Sequence, residues 1–317
     1  VKVRWMPSEV FEMTLSGFQV RYQGTGSLIA SNFSPKPILA ALAQPETGYD
    51  ATIDAPPDNS GYTKVQTLDA IWTPGPLDIK FIGARQQIES FGRIDFDGTP
   101  MPIATFQGQV GNAKIETAEL QFLSNADSWA ADWLTTIGGL YYIHSKAGFD
   151  PVFLTVGPTQ LLPAGLRNIL TPLTGDLALP YAANVQIIGI LDTQSTAGFF
   201  QGTAKLTDWL SMTAGGRYQT ETRKLEKATV QVDLQTVTSP PLVSFPPDRA
   251  DTSNFSPKVS IDMRPFDETL VYLSYTKGFK SGTYNIINLY TAPDSVKPEE
   301  VASTELGLKM ELLDGLL

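Results

Sequence analysis

Cysteine is absent from the 317 residues. That excludes a disulfide framework, a zinc–thiolate centre, an iron–sulfur cluster and a cysteine nucleophile. Histidine is nearly absent: His144 stands alone, so a two-histidine metal pair and a His-Glu-x-x-His helix are excluded by counting. Nowhere do about 18 apolar residues follow one another, as a transmembrane helix requires. The charge-free stretch 152–166 is broken by Gly157, Pro158, Pro163 and Gly165. A basic surplus is missing too. Net charge is −10, whereas a nucleic-acid partner calls for a basic patch. Charge of either sign is thin, at 18% against about 25% in soluble domains. No signal peptide opens the chain. It starts on Val1-Lys2-Val3-Arg4-Trp5, already in strand pattern, and its last residues read as a turn toward a further strand. The expectation is a fragment of a longer polypeptide.

What the sequence does have is alternation. Phe255, Pro257, Val259, Ile261 and Met263 fall on one face of 254–263, and Asn254, Ser256, Lys258, Ser260 and Asp262 on the other. Period two is the mark of a strand with one apolar and one polar side. Arg264-Pro265-Phe266-Asp267-Glu268 then turns the chain, because Pro fixes φ and Asp favours turns. The same unit recurs. Along 209–224, Leu210, Met212, Ala214, Gly216 and Tyr218 oppose Ser211, Thr213, Arg217, Gln219 and Glu221. Short turns are expected near Ser8, Gly75, Ala126, Asp208, Phe266 and Asp314. Long Pro- and Gly-rich loops are expected over 23–61, 92–112, 146–191 and 225–252, with another over 281–298. The slip of pattern at Gly17-Phe18 predicts a bulge. The apolar patches 152–154 and 185–191 fit either a short helix or loop packing.

Strand, short turn, strand, long loop is how bacterial outer-membrane barrels are built. Charges deep in the polar faces (Arg217, Glu221, Lys258, Asp262 and Lys309) argue against a packed soluble core, since burying one unpaired charge costs several kcal/mol. A watery lumen accepts them. Trp5, Tyr22, Trp72, Trp129, Trp133, Tyr141, Trp209 and Tyr218 lie near strand ends, as interfacial girdles do. The expected fold is all-β: a transmembrane antiparallel up-and-down β-barrel. Over residues 1–317 it is one partial barrel domain of about eleven strands, with short periplasmic turns and long extracellular loops.

Several segments carry a family likeness. Leu270-Val271-Tyr272-Leu273-Ser274-Tyr275-Thr276-Lys277-Gly278-Phe279-Lys280-Ser281-Gly282, Val296-Lys297-Pro298-Glu299 and Thr304-Glu305-Leu306-Gly307-Leu308-Lys309 resemble the C-terminal barrel segments of TonB-dependent outer-membrane receptors. Asp95-Phe96-Asp97-Gly98-Thr99-Pro100, Thr117-Ala118-Glu119-Leu120-Gln121, Gly139-Leu140-Tyr141-Tyr142 and Thr213-Ala214-Gly215-Gly216-Arg217-Tyr218 are similar to the same barrel, in the same order. The resemblance implies a 22-stranded barrel in a Gram-negative outer membrane, closed by an N-terminal plug. It implies uptake of a scarce nutrient such as a ferric siderophore, with outer-membrane lipid around the wall. Energy would come from the TonB–ExbB–ExbD complex, reached through an N-terminal part not in this stretch. The plug, its coupling box and the last strands are expected to lie outside it. The alternative is a passive porin-like or structural barrel without a plug. No catalytic constellation is present and no cofactor is implied.

Candidate ligand contacts are the lumenal Arg217, Glu221 and Lys280, with the loop aromatics Tyr49, Phe106, Phe149 and Tyr181; Phe245 is a further loop aromatic. Function concentrates on loops held by a rigid scaffold. Asp95-Phe96-Asp97-Gly98 lacks the remaining oxygen ligands of a calcium loop. No helix follows Gly278 and Gly282 to make a phosphate loop. His144 reads as an imidazole without a partner, a weak candidate haem ligand.

Overall fold

The computed structural model describes residues 1–25, 53–95, 104–157, 183–234, 237–238, 243–266, 268–286 and 293–310. In chain order the strands are β1 (Lys2–Ser8), β2 (Phe11–Gly24), β3 (Asp58–Trp72), β4 (Leu77–Asp95), β5 (Ala104–Ser124), β6 (Leu134–Val156), β7 (Ala183–Lys205), β8 (Leu210–Leu234), β9 (Val237–Thr238), β10 (Val243–Phe245), β11 (Asp248–Phe266), β12 (Thr269–Lys280), β13 (Thr283–Tyr284), β14 (Ser295–Val296) and β15 (Glu299–Met310). One sheet runs β1-β2-β3-β4-β5-β6-β7-β8-β11-β12-β15, and every neighbour is antiparallel. The small strands β9 and β10 both pair β8, and β13 pairs β14. This is the up-and-down order expected, with eleven strands along the path.

Register sorts every side chain. One continuous row of cross-strand partners runs Met13, Ala70, Phe81, Leu120, Leu140, Gly198, Tyr218, Phe255. The next row toward the short turns runs Phe11, Trp72, Ile79, Phe122, Gly138, Phe200, Gly216, Pro257. Val271, Leu273, Leu306 and Leu308 continue the band beyond Ile261 and Met263. No Asp, Glu, Lys or Arg stands in these rows, yet their large side chains are exposed: Leu140 62%, Phe200 58%, Phe255 56%. A charge-free exposed band on a fully paired sheet is what hydrocarbon demands. Glycines in the sheet are covered by aromatics of the adjoining strand. A Cβ on Gly216 would stand 2.8 Å from the Phe255 ring.

All five tryptophans lie at the short-turn end, beside or within the turns at 8–10, 73–76, 125–133 and 206–209. Trp5 meets Phe11 edge-on at 5.9 Å, and Trp129 meets Trp133 at 6.1 Å. Neighbouring turns are tied together: Asn125 Nδ2 donates to the Gly75 carbonyl (2.7 Å) and to Asp78 Oδ1 (3.0 Å). Two girdle assignments are corrected. Tyr22 and Tyr141 lie on the polar face, in register with Gly61 and Glu119. The bulge expected at Gly17-Phe18 does not form either, because β2 pairs β3 without a break from Phe11 to Gly24.

Bulges occur higher, at one level of the wall: Val110 in β5, Asp150-Pro151 in β6 and Glu226 in β8. They are why strands run on where loops are expected from the sequence. Segments punctuated by Gly148, Pro151 and Gly189 looked like loops, but a bulge accommodates such residues inside a strand. Gly108, opposite Val152, has φ +136°, and a Cβ there would lie 2.6 Å from the Pro151 carbonyl oxygen. The hairpins β5–β6 and β7–β8 therefore run 21–25 residues per strand, about twice what a bilayer needs. The patches 152–154 and 185–191 are strand, not helix. Val152, Leu154, Val156, Val185, Ile187, Val230 and Val232 form a buried cluster, against which Phe106, Phe149 and Val243 pack. A second cluster joins Leu225, Ala228 and Tyr284, with Phe245 and Ile286 against it. Phe106, Phe149 and Phe245 are thus in strands and braced against apolar neighbours. They are not on loops.

Two outcomes follow from this arrangement. Phe200→Lys, in mid-band, should cost about 2–4 kcal/mol of bilayer-embedded stability, while Gln201→Lys on the opposite face should stay within about 0.5 kcal/mol; denaturant titration in lipid vesicles reads both. Tyr284 is buried and its hydroxyl donates to Asp248 Oδ2 at 3.1 Å. Burial first, then that hydrogen bond, pushes its phenol up to about 12. An unfolded tyrosine ionises near 10. Its stabilising effect should therefore be complete below pH about 10 and be lost as pH rises through about 12. Alkaline difference spectra of the protein and of Tyr284→Phe check this: a phenol titrating with an ordinary midpoint contradicts it.

Candidate functional site

The face opposite the apolar band is mostly polar from the turns up to the bulges, above which it carries the buried apolar cluster. One row runs Thr14, Asp69, Ile82, Glu119, Tyr141, Ala197, Gln219, Asn254. The next toward the mouth runs Ser16, Thr67, Ala84, Thr117, Ile143, Ser195, Glu221, Thr252. Alternation of the backbone does this without special pleading: each residue that sends an apolar chain one way sends a polar chain the other. Hydroxyls pair across strands, Ser16 with Thr67 at 2.5 Å and Thr203 with Thr213 at 2.9 Å. Arg4 grips Glu12 with two contacts of 2.6 Å. Lys309 sits 5.8 Å from the centre of the Tyr272 ring, within cation–π reach.

The densest polar cluster lies on β7, β8 and β11 toward the mouth. Glu221 is buried. Its Oε1 accepts from Arg223 Nε at 2.7 Å and its Oε2 accepts from Ser281 Oγ at 2.8 Å. Ser281 begins the segment that follows β12. That segment carries Tyr284 and Ile286 onto β7 and β8, where Ile286 lies over Gly189 and Tyr284 joins Leu225. It forms a strap across β11. In register with Glu221 stands Ser195, whose buried Oγ has no hydrogen-bond partner among the described residues. A buried hydroxyl left unpaired costs about 1–3 kcal/mol. Asn254, also buried, donates to Glu300 Oε1 at 3.2 Å and accepts from Ser256 Oγ at 2.9 Å. This link reaches from β11 to β15, beyond where the β11–β12 ladder stops at Lys258. Pro257 has no N–H with which to continue it.

Of the candidates from sequence, Arg217 and Glu221 are brought together on this face. Arg217 lies over the Tyr141 ring at 5.1 Å and donates from Nε to Gln219 Oε1 at 3.3 Å. Lys280, near the end of β12, is exposed and 3.8 Å from Glu299. Phe106 and Phe149 serve the buried cluster above. Tyr49 and Tyr181 lie outside the described residues, as do Phe96, Asp97 and Gly98; Asp95 is buried and accepts from the Asp54 N–H at 3.1 Å. His144 has a partner after all. Its Nε2 is 2.7 Å from Asp192 Oδ2, and both stand on the apolar face above the band, away from the polar side. Ser195, Asn254, Arg223 and the strap were not singled out in the sequence. Asn254 and the strap reach partners 36 to 60 residues away, Ser195 has none, and Arg223 bonds Glu221 two residues along its own strand; no local pattern marks them as a cluster.

Among the described residues no cluster of His, Asp and Glu could hold a metal ion. The arrangement offers binding surface, not a reacting pair.

The family described as "TonB dependent receptor-like, beta-barrel" matches residues 16–317. A search of the curated proteins returns no match. Among solved structures, the ferric yersiniabactin uptake receptor FyuA of Yersinia pestis is similar with a TM-score of 0.70 and 16% identity, over 99% of this chain and 42% of that one. The ferric-catecholate import receptor Fiu of E. coli K12, in its closed form, gives 0.59 and 13%, over 99% and 48%. The alcaligin outer-membrane receptor FauA of Bordetella pertussis gives 0.54 and 12%, over 99% and 40%. The chain thus spans less than half the length of each. These identities show a shared fold, and the proteins named are transport receptors, not enzymes. With nearly the whole chain matched, the protein belongs to the TonB-dependent receptor family and is part of a Gram-negative outer-membrane β-barrel.

Proposed function

We propose that residues 1–317 act as one wall segment of an energised uptake receptor, whose cargo is a scarce small molecule, most simply a ferric siderophore. The observation that carries this reading is the two-sided wall. Charges at Arg217, Glu221, Lys258, Asp262 and Lys309 share one face, and a charge-free band occupies the other. Such a wall encloses a polar interior. Among the described residues the sheet order runs from β1 to β15 without pairing the two; in this reading the ring is that of a whole receptor. A plug domain fills the interior, and the inner-membrane TonB–ExbB–ExbD complex supplies the energy. The structural neighbours named for ferric ligands support the cargo class.

Ligand capture belongs to the mouth. The tall hairpins β5–β6 and β7–β8 flank the connecting segment that contains Tyr181, and Tyr49 lies in the segment that joins β2 to β3. Arg217 and Glu221 lie below, on the interior side, with Lys280 at the rim. Among the described residues the Ser195 hydroxyl beside Glu221 has no partner, which leaves one donor for a plug or ligand group.

The test uses the whole receptor in its outer membrane. Exchanging segments 26–52 and 158–182 for those of a receptor with another cargo should switch ligand choice, with barrel assembly unchanged. Glu221→Gln should leave a heat-resistant barrel and lower uptake roughly tenfold, equivalent to about 1.4 kcal/mol. Unaltered uptake of the original ligand in both variants contradicts the assignment.

A further inference from the structure

The strap is held to the wall by side chains alone. Among the described residues its strand β13 pairs only β14, and no ladder joins it to β7, β8 or β11. Gly282 lets it fold back on β14, since a Cβ there would run into the Val296 carbonyl oxygen. Three contacts seat it on the interior side. Ser281 Oγ donates to Glu221 Oε2 at 2.8 Å, and Tyr284 Oη donates to Asp248 Oδ2 at 3.1 Å. Ile286 covers Gly189, where a Cβ would stand 2.9 Å from Ile286 Cβ and 3.0 Å from its carbonyl oxygen. Leu225 and Ala228 are enclosed beneath, together with Tyr284 itself. A segment tied on by a few side chains opens more easily than the ladders around it.

Seating the strap leaves one group unsatisfied. Ser195 stands in register with Glu221 on the same face, and cross-strand partners have Cβ atoms about 5 Å apart. The Glu221 carboxylate is therefore within a side-chain rotation of the Ser195 hydroxyl. Held between Arg223 at Oε1 and Ser281 at Oε2, it presents neither oxygen to Ser195. Ser195 Oγ is buried and, among the described residues, has no partner. An enclosed hydroxyl is costly to leave unpaired. Once Ser281 withdraws, Oε2 can turn to Ser195. Glu221 then accepts from two donors in either state, and the hydroxyl gains its acceptor.

We propose that residues 281–286 are an autoinhibitory latch with two states. Seated, the strap holds Glu221 through Ser281 and shuts the upper interior face of β7, β8 and β11. Released, it bares Leu225, Ala228 and the Glu221 carboxylate to whatever enters the mouth, and Ser195 takes over the bond that Ser281 gives up. The strap and an incoming molecule compete for the same stretch of wall. This exchange of donors keeps the two states close in free energy, and no strand ladder has to break. The latch depends on the interior direction of the Glu221 face and not on which cargo the receptor carries.

The test uses the whole receptor in its outer membrane, freed of any other cysteine, with Ala228→Cys as a reporter beneath the strap. Its rate of reaction with a water-soluble maleimide reads the released fraction, and heat-modifiable gel mobility checks that each variant has assembled. Ser281→Ala should raise the rate about fivefold. Gly189→Val should raise it about tenfold by wedging under Ile286; Gly189→Ala, which adds the Cβ alone, serves where valine prevents assembly. Ser195→Ala should lower the rate about fivefold, because it removes the unpaired hydroxyl of the seated state and the new bond of the released one. The sign of that change separates a latch from plain packing, in which deleting a buried atom loosens the wall and quickens labelling. Faster or unchanged labelling in Ser195→Ala overturns the exchange of donors. A reporter that stays unlabelled in the Gly189 variants shows that the strap is not the cover and overturns the proposal.

Discussion

Backbone hydrogen bonding in a medium without water governs this structure. In hydrocarbon each unpaired N–H or C=O costs several kcal/mol, so a strand that crosses must be paired on both sides. The long continuous ladders meet that requirement. β2 pairs β3 over fourteen consecutive residues, and β8 pairs β11 over sixteen. Once pairing is fixed, side chains have no freedom of direction. Alternation sends Leu140, Phe200 and Phe255 to one side and Tyr141, Phe199 and Asn254 to the other. The lipid-facing band, the tryptophan end and the polar interior all follow from that geometry.

Above the bilayer the constraint changes. Water is available, so strands are no longer kept paired by the solvent alone. The hairpins stay paired because their upper parts bury an apolar core of their own: Val152, Val156 and Val232 are almost wholly enclosed. The aligned bulges at Val110, Asp150-Pro151 and Glu226 mark the transition. Below them the polar side of the wall carries Thr, Ser and charged residues; above them the same side carries Val, Leu and Ile. The strap at 281–286 adds a second tie, through Ser281 to Glu221 and Tyr284 to Asp248. A mouth held this firmly is a suitable frame for the segments that connect the strands.

Most of the membrane wall was legible in the sequence. Strand faces at 210–221 and 254–263 were clean, because one residue in two is apolar and no competing pattern interferes. The short turns at Ser8, Gly75, Ala126 and Asp208 were marked by Pro, Gly and Asp. The tall hairpins were not legible. Gly148, Pro151 and Gly189 carry the composition of a loop, and only the facing strand shows that they sit in a bulged ladder. The candidate site was half legible. Arg217 and Glu221 stood out as charges within strands. Asn254 and the His144–Asp192 pair depend on contacts 46 and 48 residues apart, and Ser195 on its register with Glu221 in the next strand, which no local signal predicts.

The direction of the two faces is the claim on which the rest stands. These 317 residues contribute no competing thiol, and any cysteine elsewhere in the receptor is replaced first so that each position is labelled singly. Cysteines placed one at a time from Leu210 to Glu221 in the membrane-embedded receptor, probed with a lipid-soluble and a water-soluble thiol reagent, measure it directly. The account predicts strict alternation: Met212, Ala214, Gly216 and Tyr218 positions reached only from lipid, and Ser211, Thr213, Gly215 and Arg217 positions reached only from water or shielded by protein in the interior. Equal access to water on both faces, or protection of the Met212 and Tyr218 positions from lipid, would contradict it.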